Sequence, residues 1–201
     1  MRLSDTCTIH SGFTARGKLE SIDIGGVPAI QLRDISAEGA VDPHHLARVP
    51  LEGVAERYFV RAGDVLFRSR GERTTACALD DRFIESAVAI LPLMVLRPKR
   101  DIVLPGYLAW AINQPAAQRH FDGSAYGTNI RMVPRSSLDE LEIDIPDIVI
   151  QQKVVAIDAL AERERELSIL AAERRRWLTG MILADRIKTM SPAAGPERKT
   201  K

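Results

Sequence analysis

The densest group of side-chain hydrogen-bond donors in the first part of the chain follows an apolar run. It consists of three arginines and their hydroxyl-bearing neighbours: Arg68, Ser69, Arg70, Arg73, Thr74 and Thr75. Gly71 interrupts the group, and a glycine lets the backbone of a loop approach a ligand closely. Arginine pairs with guanine edges and phosphates, and hydroxyl groups donate to phosphates. The group therefore predicts a nucleic-acid contact; an exposed arginine-rich turn that serves solubility is the alternative.

A second polar segment occupies residues 123–131 and contains two glycines. Its hydrogen-bonding side chains are Ser124, Tyr126, Thr128, Asn129 and Arg131. Small polar groups donate to phosphates, and an asparagine can bind adenine through two hydrogen bonds. The segment is thus a second candidate for nucleic-acid contact. A plain connecting loop, whose glycines serve turn geometry, is the alternative.

Charge is distributed unevenly along the chain, although the formal net charge is only +1. Residues 1–147 contain 17 basic and 20 acidic residues, whereas residues 148–201 contain 11 and 7. Because phosphate contacts need clustered cations, nucleic-acid binding by the first part requires a local patch. Arg97, Lys99 and Arg100 form a third basic spot at a predicted strand end, where we expect solvated side chains or anchors on the nucleic-acid backbone rather than base contacts.

The usual patterns of a metal or nucleotide enzyme are missing from the sequence. His44 and His45 lack the glutamate of a zinc-protease helix, and neither His10 nor His120 has a metal-site pattern nearby. Cys77 lies among apolar residues, which favours a small buried residue over a nucleophile. No Walker-type loop or dinucleotide-binding glycine pattern occurs. We therefore expect a non-catalytic protein that binds no metal and no cofactor.

Short apolar runs broken by glycine, proline and aspartate extend from residue 6 to about residue 146, a pattern typical of strands and turns. The predicted strands are residues 27–35, 65–70, 87–97 and 141–145. Pro105 suits the first position of a helix, and one face of that helix would carry Tyr107, Leu108, Ala111 and Ile112. Residues 1–146 are therefore expected to form one mixed α and β domain.

The sequence changes character at Pro146. Residues 148–183 contain no proline and a single glycine, Gly180. Such a run predicts one long helix, which we assign to residues 147–186, and Asp147 is a suitable cap for its start. The last residues, 187–201, are rich in proline, alanine, lysine and arginine and are expected to be disordered.

Apolar residues recur along this predicted helix at the three- and four-residue spacing of a coiled coil. The stripe comprises Ile157, Leu160, Leu167, Ala171, Leu178 and Met181. Glu164 and Arg174 fall in the same stripe, and polar residues at such positions often set register or partner choice. A single domain of this size cannot cover the whole stripe, so the helix is expected to pair with a second copy or with another chain.

The two cysteines, Cys7 and Cys77, are too widely spaced for a disulfide framework or a paired-cysteine zinc site. This usage fits a reducing cytoplasm. The N-terminus lacks the apolar core of a signal peptide, and no apolar run reaches the roughly 18 residues of a membrane span. We expect a cytoplasmic protein that does not insert into a membrane.

Three segments occur in a characteristic order. Residues 60–71 read VRAGDVLFRSRG, residues 123–130 read GSAYGTNI with LDELEI at 138–143, and residues 145–154 read IPDIVIQQKV. In order and spacing they resemble the type I restriction-modification specificity subunits, in which a recognition domain is followed by a long helix. The family usually carries two such domains and two helices in a chain about twice as long, whereas this sequence has one of each. Its junction also has Asp147 and Ile150 where the family has a second proline and an acidic residue before the glutamine.

This resemblance implies a target-recognition domain that reads one half-site of double-stranded DNA through the two polar segments. It further implies that methyltransferase subunits, which carry S-adenosylmethionine, dock on the protein, and that a nuclease-translocase subunit can join them. The long helix would then pair two copies in a homodimer, with antiparallel helices separating the two recognition domains. The alternative is a truncated interaction protein, which pairs through its helix with a full-length specificity subunit and modulates its assembly.

Overall fold

The computed structural model describes residues 1–15, 17, 19–36, 39–71, 74–126 and 131–190 of the chain. The chain forms two compact units, Met1–Ala156 and Ile157–Lys201. Within the described residues, the first unit has eight strands: β1 Cys7–Ser11, β2 Val27–Ile30, β3 Ala47–Val49, β4 Phe59–Val60, β5 Val65–Arg68, β6 Thr75–Ala78, β7 Ala87–Ala89 and β8 Leu93–Pro98.

The strands form two four-stranded sheets. The first sheet has the spatial order β1-β8-β5-β6, and each neighbouring pair is antiparallel. The second sheet has the order β3-β2-β7-β4, in which β2 and β7 run parallel and the other pairs are antiparallel. The described helices are α1 Leu3–Thr6, α2 Pro105–Asn113, α3 Pro115–Ser124, α4 Arg135–Glu140 and α5 Ile148–Met190.

The first sheet is buried on both faces, because it lies between the helices and the second sheet. On one face, Phe67 of β5 packs against Phe121 of α3, with ring centroids 5.2 Å apart. On the other face, Leu66 of the same strand packs in a cluster with Ile30 of the second sheet. Successive residues of β5 therefore point into two different cores, which accounts for an unbroken apolar run in a strand.

Helix α2 covers the edge of the first sheet. As predicted, it begins at Pro105, and Leu108 and Ile112 on its inner face are fully buried. The carboxamide of Asn113 accepts a hydrogen bond from Ala76 N at 2.8 Å and donates one to Ala76 O at 2.9 Å. Asn113 thus takes the place of a neighbouring strand, and it fixes the edge strand β6 to the helix.

The predicted strands at 27–35, 65–70 and 87–97 are all shorter than expected. Strand β2 ends at Ile30, and a 3-10 turn, Leu32–Asp34, follows it. Strand β5 ends at Arg68. The long prediction at 87–97 corresponds to two strands, β7 and β8, with Pro92 between them. Proline has no N–H to donate to a sheet, and the turn there redirects the chain from one sheet to the other.

The prediction of a strand at 141–145 is wrong. Glu142 forms a single bridge with Arg2, and the remaining pairing consists of Leu3 N bonded to Leu141 O and Ile143 N bonded to Met1 O. This pairing is too short for a strand. Helices α3 and α4 were not expected. The prediction of a mixed α and β domain followed by one long helix is nevertheless confirmed.

Helix α5 contains 43 residues, which corresponds to about 64 Å at 1.5 Å per residue. The carboxylate of Asp147 accepts a hydrogen bond from Ile150 N at 2.9 Å, so Asp147 caps the helix as predicted. The helix continues to Met190, and residues 191–201 of the predicted tail lie outside the described residues. Within the described part of the chain, no helix is both long and apolar enough to cross a membrane.

Gln151 fastens the first turns of α5 to the domain. Its side chain is fully buried, and its carbonyl oxygen accepts a hydrogen bond from Leu104 N at 2.8 Å. Its amide nitrogen donates to Ile102 O at 3.0 Å and to Pro146 O at 2.8 Å. A single glutamine therefore joins the segment before α2, the junction at Pro146 and the start of the long helix.

Candidate nucleic-acid interface

The first candidate loop connects β5 to β6, and its arginines differ in their surroundings. Arg70 is exposed, whereas Arg68 is half-buried and donates from Nε to Arg70 O at 3.3 Å. Gly71 has φ +133°, and a Cβ there would approach the Arg68 guanidinium to 3.0 Å. A larger residue would therefore displace this arginine. Arg73 lies outside the described residues.

Ser69 faces the protein interior. It is fully buried, and its hydroxyl donates to Pro92 O at 2.6 Å, which ties the end of β5 to the turn between β7 and β8. The backbone of Ser69 accepts a hydrogen bond from Val133 N at 2.8 Å. These hydrogen bonds hold the loop on its buried side, and the side chain of Ser69 is not part of the surface.

The second candidate loop lies beside the first. Tyr126 and Met132 exchange two backbone hydrogen bonds, at 3.1 and 2.9 Å, and Met132 also forms a bridge with Arg70. Gly71 N donates to Arg131 O at 3.2 Å. Tyr126 is 56% exposed. Two segments more than fifty residues apart in sequence are thus brought together, as the shared candidate function requires. Thr128 and Asn129 lie outside the described residues.

Helix α3 bridges the two loops. On the first loop, Thr74 Oγ1 donates to Gln118 Oε1 at 2.8 Å, and Gln118 Nε2 donates to Ile112 O at 2.9 Å. On the second loop, the Arg131 guanidinium binds Asp122. The adjacent Arg119 on α3 is exposed. The sequence reasoning missed these α3 residues; Pro115, a favourable first helical residue, was the available signal.

Ser124 belongs to the last turn of α3 rather than to an open loop. It is half-buried, its Oγ lies 2.6 Å from Ser137 Oγ, and it also contacts the carbonyl groups of His120 and Phe121 at 3.2 Å. The hydroxyl group is therefore engaged between α3 and α4. The expectation of a loop from residue 123 is corrected, because the helix extends through Ser124.

The third basic spot consists of side chains that bind the protein itself. Arg97 donates to Phe59 O at 2.7 Å and lies 3.6 Å from the carboxylate of Asp64. Lys99 donates to Asp5 O at 2.8 Å, and Arg100 donates to Ala62 O at 3.1 Å. Burial raises the pKa of Asp64, although hydrogen bonding and the nearby arginines oppose this effect. The guanidinium and ammonium groups of these residues are thus bonded within the domain, and a contact with the DNA backbone stays a prediction.

The two cysteines are buried among apolar side chains. Burial raises the pKa of Cys7 to about 11 and that of Cys77 to about 12, so both thiols are protonated at neutral pH. Cys77 was expected to be a small buried residue, and the structure confirms it. Within the described residues, no group of three or more histidine, cysteine or acidic side chains is suitably placed to hold a metal ion.

In the second unit, considered by itself, the predicted pairing stripe of α5 is exposed along the helix. Ile157 and Leu160 are 67% and 71% exposed, and the other members of the stripe are exposed as well: Leu167, Ala171, Leu178 and Met181. A second group of exposed apolar side chains lies on a different face, and it contains Ile169, Leu183 and Ile187. A helix with two uncovered apolar faces can accept more than one partner.

A comparison of the sequence with protein-family models finds no match, and a comparison with curated proteins finds none either. Solved structures of type I restriction-modification proteins do resemble the chain. One comes from a study of complex assembly and conformational transition of the type I R-M system. It is 20% identical with a TM-score of 0.63, and the alignment covers 90% of this chain and 42% of that one.

Two structures of single subunits give the same result. The HsdS subunit from Thermoanaerobacter tengcongensis is 18% identical with a TM-score of 0.60, and 98% of this chain aligns with 50% of that one. The type I S subunit from M. genitalium is 13% identical with a TM-score of 0.55, for 88% of this chain and 42% of that one. The resemblance to type I specificity subunits is thus confirmed at the level of the fold. The chain spans half or less of the length of these proteins.

Proposed function

We propose that this chain is a non-catalytic, sequence-specific DNA-binding protein that acts as the specificity component of a type I restriction-modification system in the cytoplasm. The observation that carries the proposal is the meeting of the two candidate loops on one surface of a domain with the specificity-subunit fold. Arg70, Tyr126 and Arg131 are exposed there, next to one another through the Met132 pairing.

The proposed contact set combines side chains suited to phosphates and to base edges. Arginine can bind either, whereas hydroxyl groups mainly bond phosphates and asparagine suits adenine. The set comprises Arg68, Arg70, Arg73, Tyr126, Thr128, Asn129 and Arg131. Ser69, Thr74 and Ser124 are left out, because their hydroxyl groups are bonded within the protein. One domain of this size would read one half-site.

The second half-site would come from a second copy, paired through α5 with its helix antiparallel. The charges along α5 support this arrangement. Residues 157–172 contain four acidic and two basic residues, whereas residues 173–190 contain two acidic and five basic residues. Antiparallel pairing sets each acidic half against a basic half, whereas parallel pairing aligns like charges. The resulting two-fold symmetry implies a palindromic pair of half-sites.

Docking of methyltransferase subunits is part of the same proposal. The face of α5 that carries Ile169, Leu183 and Ile187 stays free when the pairing stripe is covered, so it offers a contact for another chain. Such subunits would bind S-adenosylmethionine and catalyse the methyl transfer. A nuclease-translocase subunit would join the assembly through them. The recognition chain itself binds no cofactor in this assembly.

The test is selection from a library of random DNA duplexes with the full chain, alone and with a co-expressed type I methyltransferase subunit. We expect enrichment of a two-part palindromic sequence, and light scattering should give a dimer. A complex with the co-expressed subunit that enriches no sequence favours the truncated interaction protein. No enrichment in either sample overturns the DNA-binding role, and a monomer in both overturns the pairing.

Arginine variants test whether the selected DNA binds at the proposed surface. Replacing Arg68 and Arg70 with alanine should weaken binding to the enriched duplex while the circular dichroism spectrum stays unchanged. The control replaces two exposed arginines elsewhere in the domain, Arg33 and Arg82, and makes the same change in charge. Equal binding by the two double variants contradicts the assignment of the surface.

A further inference from the structure

We propose that Asp122 of α3 sets the specificity of this surface by holding Arg131 as a base-reading residue, an inference that rests on the DNA-binding function proposed above. The carboxylate of Asp122 carries no donor for DNA, and it lies beside the Arg131 guanidinium. Its role would be to position an arginine and to discourage contact with any DNA backbone.

The geometry of the pair is specific. Arg131 Nη1 lies 2.9 Å from Asp122 Oδ1, and Arg131 Nη2 donates to Asp122 O at 2.8 Å. Nη2 is thus held by a hydrogen bond and Nη1 by an ion pair, which restricts the plane of the guanidinium and leaves its Nε–H available. The backbone of Arg131 is fixed as well, because its carbonyl accepts from Gly71 N.

Asp122 comes from a rigid element. Its neighbour Phe121 is 1% exposed and packs on Phe67, and Gln118, one turn earlier, is bonded to Thr74 and Ile112 O. An aspartate in the last turn of a helix lies near the negative end of the helix dipole, where an acidic side chain is unfavourable. Its contact with Arg131 offsets this local disadvantage.

The carboxylate affects phosphate contacts and base contacts differently. For Arg131 to bind a phosphate, the phosphate must approach a carboxylate of the same charge or displace it. A guanine edge, in contrast, offers the neutral acceptors O6 and N7, which the free N–H groups can reach while Asp122 stays in place. Asp122 thus penalises contacts common to all DNA and preserves a contact that depends on sequence.

The other exposed arginines of this surface differ in this respect. Among the described residues, no carboxylate forms an ion pair with Arg70 or Arg119, so both guanidinium groups can bind phosphates without a competitor. The arginines of this surface would therefore have different roles: Arg70 and Arg119 bind phosphates of the duplex, and Arg131 contacts a base.

The experiment compares Asp122→Asn with Asp80→Asn in the full chain. Asp80 is an exposed carboxylate bound to Arg82 at 2.9 Å, and the two variants have the same net charge. Affinity for the enriched duplex and for a random duplex of the same length is measured over a range of salt concentrations. Asp122→Glu, which keeps the charge, and Asp122→Asn/Arg131→Ala complete the set.

In Asp122→Asn, we expect random-duplex affinity to rise about three- to tenfold, and its dependence on salt to steepen by up to about one phosphate contact. The ratio of enriched-duplex to random-duplex affinity should fall about tenfold, which is the order of one base contact. Asp80→Asn should leave that ratio within about twofold, and Asp122→Glu should keep the weaker salt dependence. In the double variant, the gain in random-duplex affinity should disappear.

An unchanged ratio of enriched-duplex to random-duplex affinity in Asp122→Asn overturns the inference. This holds even if the variant loses thermal stability, because Asp122 would then only hold the end of α3. A ratio that falls equally in Asp80→Asn overturns it as well, since the effect would be one of net charge. If the wild-type chain enriches no sequence, the DNA-binding function itself fails and the inference fails with it.

Discussion

The buried side chain of Gln151 permits a quantitative test of how the first unit holds the first turns of α5. In Gln151→Leu, the three hydrogen bonds to Leu104 N, Ile102 O and Pro146 O are lost. Each such bond contributes about 1 kcal/mol, and the stranded backbone N–H adds to the loss. Leucine and glutamine have similar helix propensities, so the helix itself is unaffected. We expect the domain to lose about 3 kcal/mol of its free energy of unfolding.

Urea unfolding measures this loss. The sequence has two tryptophans, and a Trp177→Phe background makes Trp110 the sole reporter, which lies in the domain and packs on Tyr107. With a urea m-value of about 2 kcal/mol per molar, the midpoint should fall by about 1.5 M. The matched control is Gln152→Leu, the same change at the next, exposed position of α5. If the two variants unfold within about 0.3 M urea of each other, Gln151 does not hold the junction as described.

Two further predictions concern buried polar groups in the domain. Ser69→Ala removes the hydrogen bond to Pro92 O and should lower the free energy of unfolding by about 1–2 kcal/mol. The control Ser86→Ala, at an exposed position, should change the free energy of unfolding by less than about 0.5 kcal/mol. Equal urea midpoints of the two variants would contradict an inward-facing Ser69. Burial raises the pKa of Cys7 to about 11 and that of Cys77 to about 12, above the ordinary value of 9.0. The stability that comes from their neutral thiols is therefore present below pH 9 and is lost as the pH rises toward these values. Cys7→Ala/Cys77→Ala should lose less stability than the wild type between pH 8 and pH 10.5, and parallel losses would count against this explanation.

Some features of the fold follow directly from local sequence. The start of α5 is an example, because Asp147 stands where a cap is needed and no proline follows it within the helix. Helix α2 is another, since Pro105 marks its first turn and its apolar residues share one face. In both cases the determining residues lie within a few positions of the feature they determine.

Other features depend on contacts between distant segments. Residues 141–145 have the apolar composition of a strand, but their available partner is the short segment around Arg2 and Leu3, so a sheet cannot extend there. Helix α3 has only weak local signals, and it is stabilised by Phe121 against Phe67 and by Gln118 on Thr74. Local propensity could not reveal these partners, because tertiary packing overrides it.

The candidate site shows the same limit at the level of side chains. The sequence could place the arginines and serines of the first loop together, but it could not tell which of them face the solvent. Alternation along β5 puts Ser69 on the side of Phe67 and Arg70 on the opposite side, and two hydrogen bonds then hold Ser69 inside. The serine that resembled a DNA contact supports the loop instead.

The two units differ in how far their apolar side chains are buried. In the first, two apolar clusters are buried beside the sheets, and the exposed loops meet on a surface held by Ser69 and Gln118. In the second, the apolar side chains of α5 are exposed on two faces, and exposed apolar area of this extent is unfavourable in water unless another chain covers it. Side chains already held in place lose less entropy when a ligand binds, and exposed apolar side chains favour association. The first unit therefore buries its own apolar clusters, whereas the described part of the second leaves apolar side chains exposed on two faces of α5, as the proposed pairing requires.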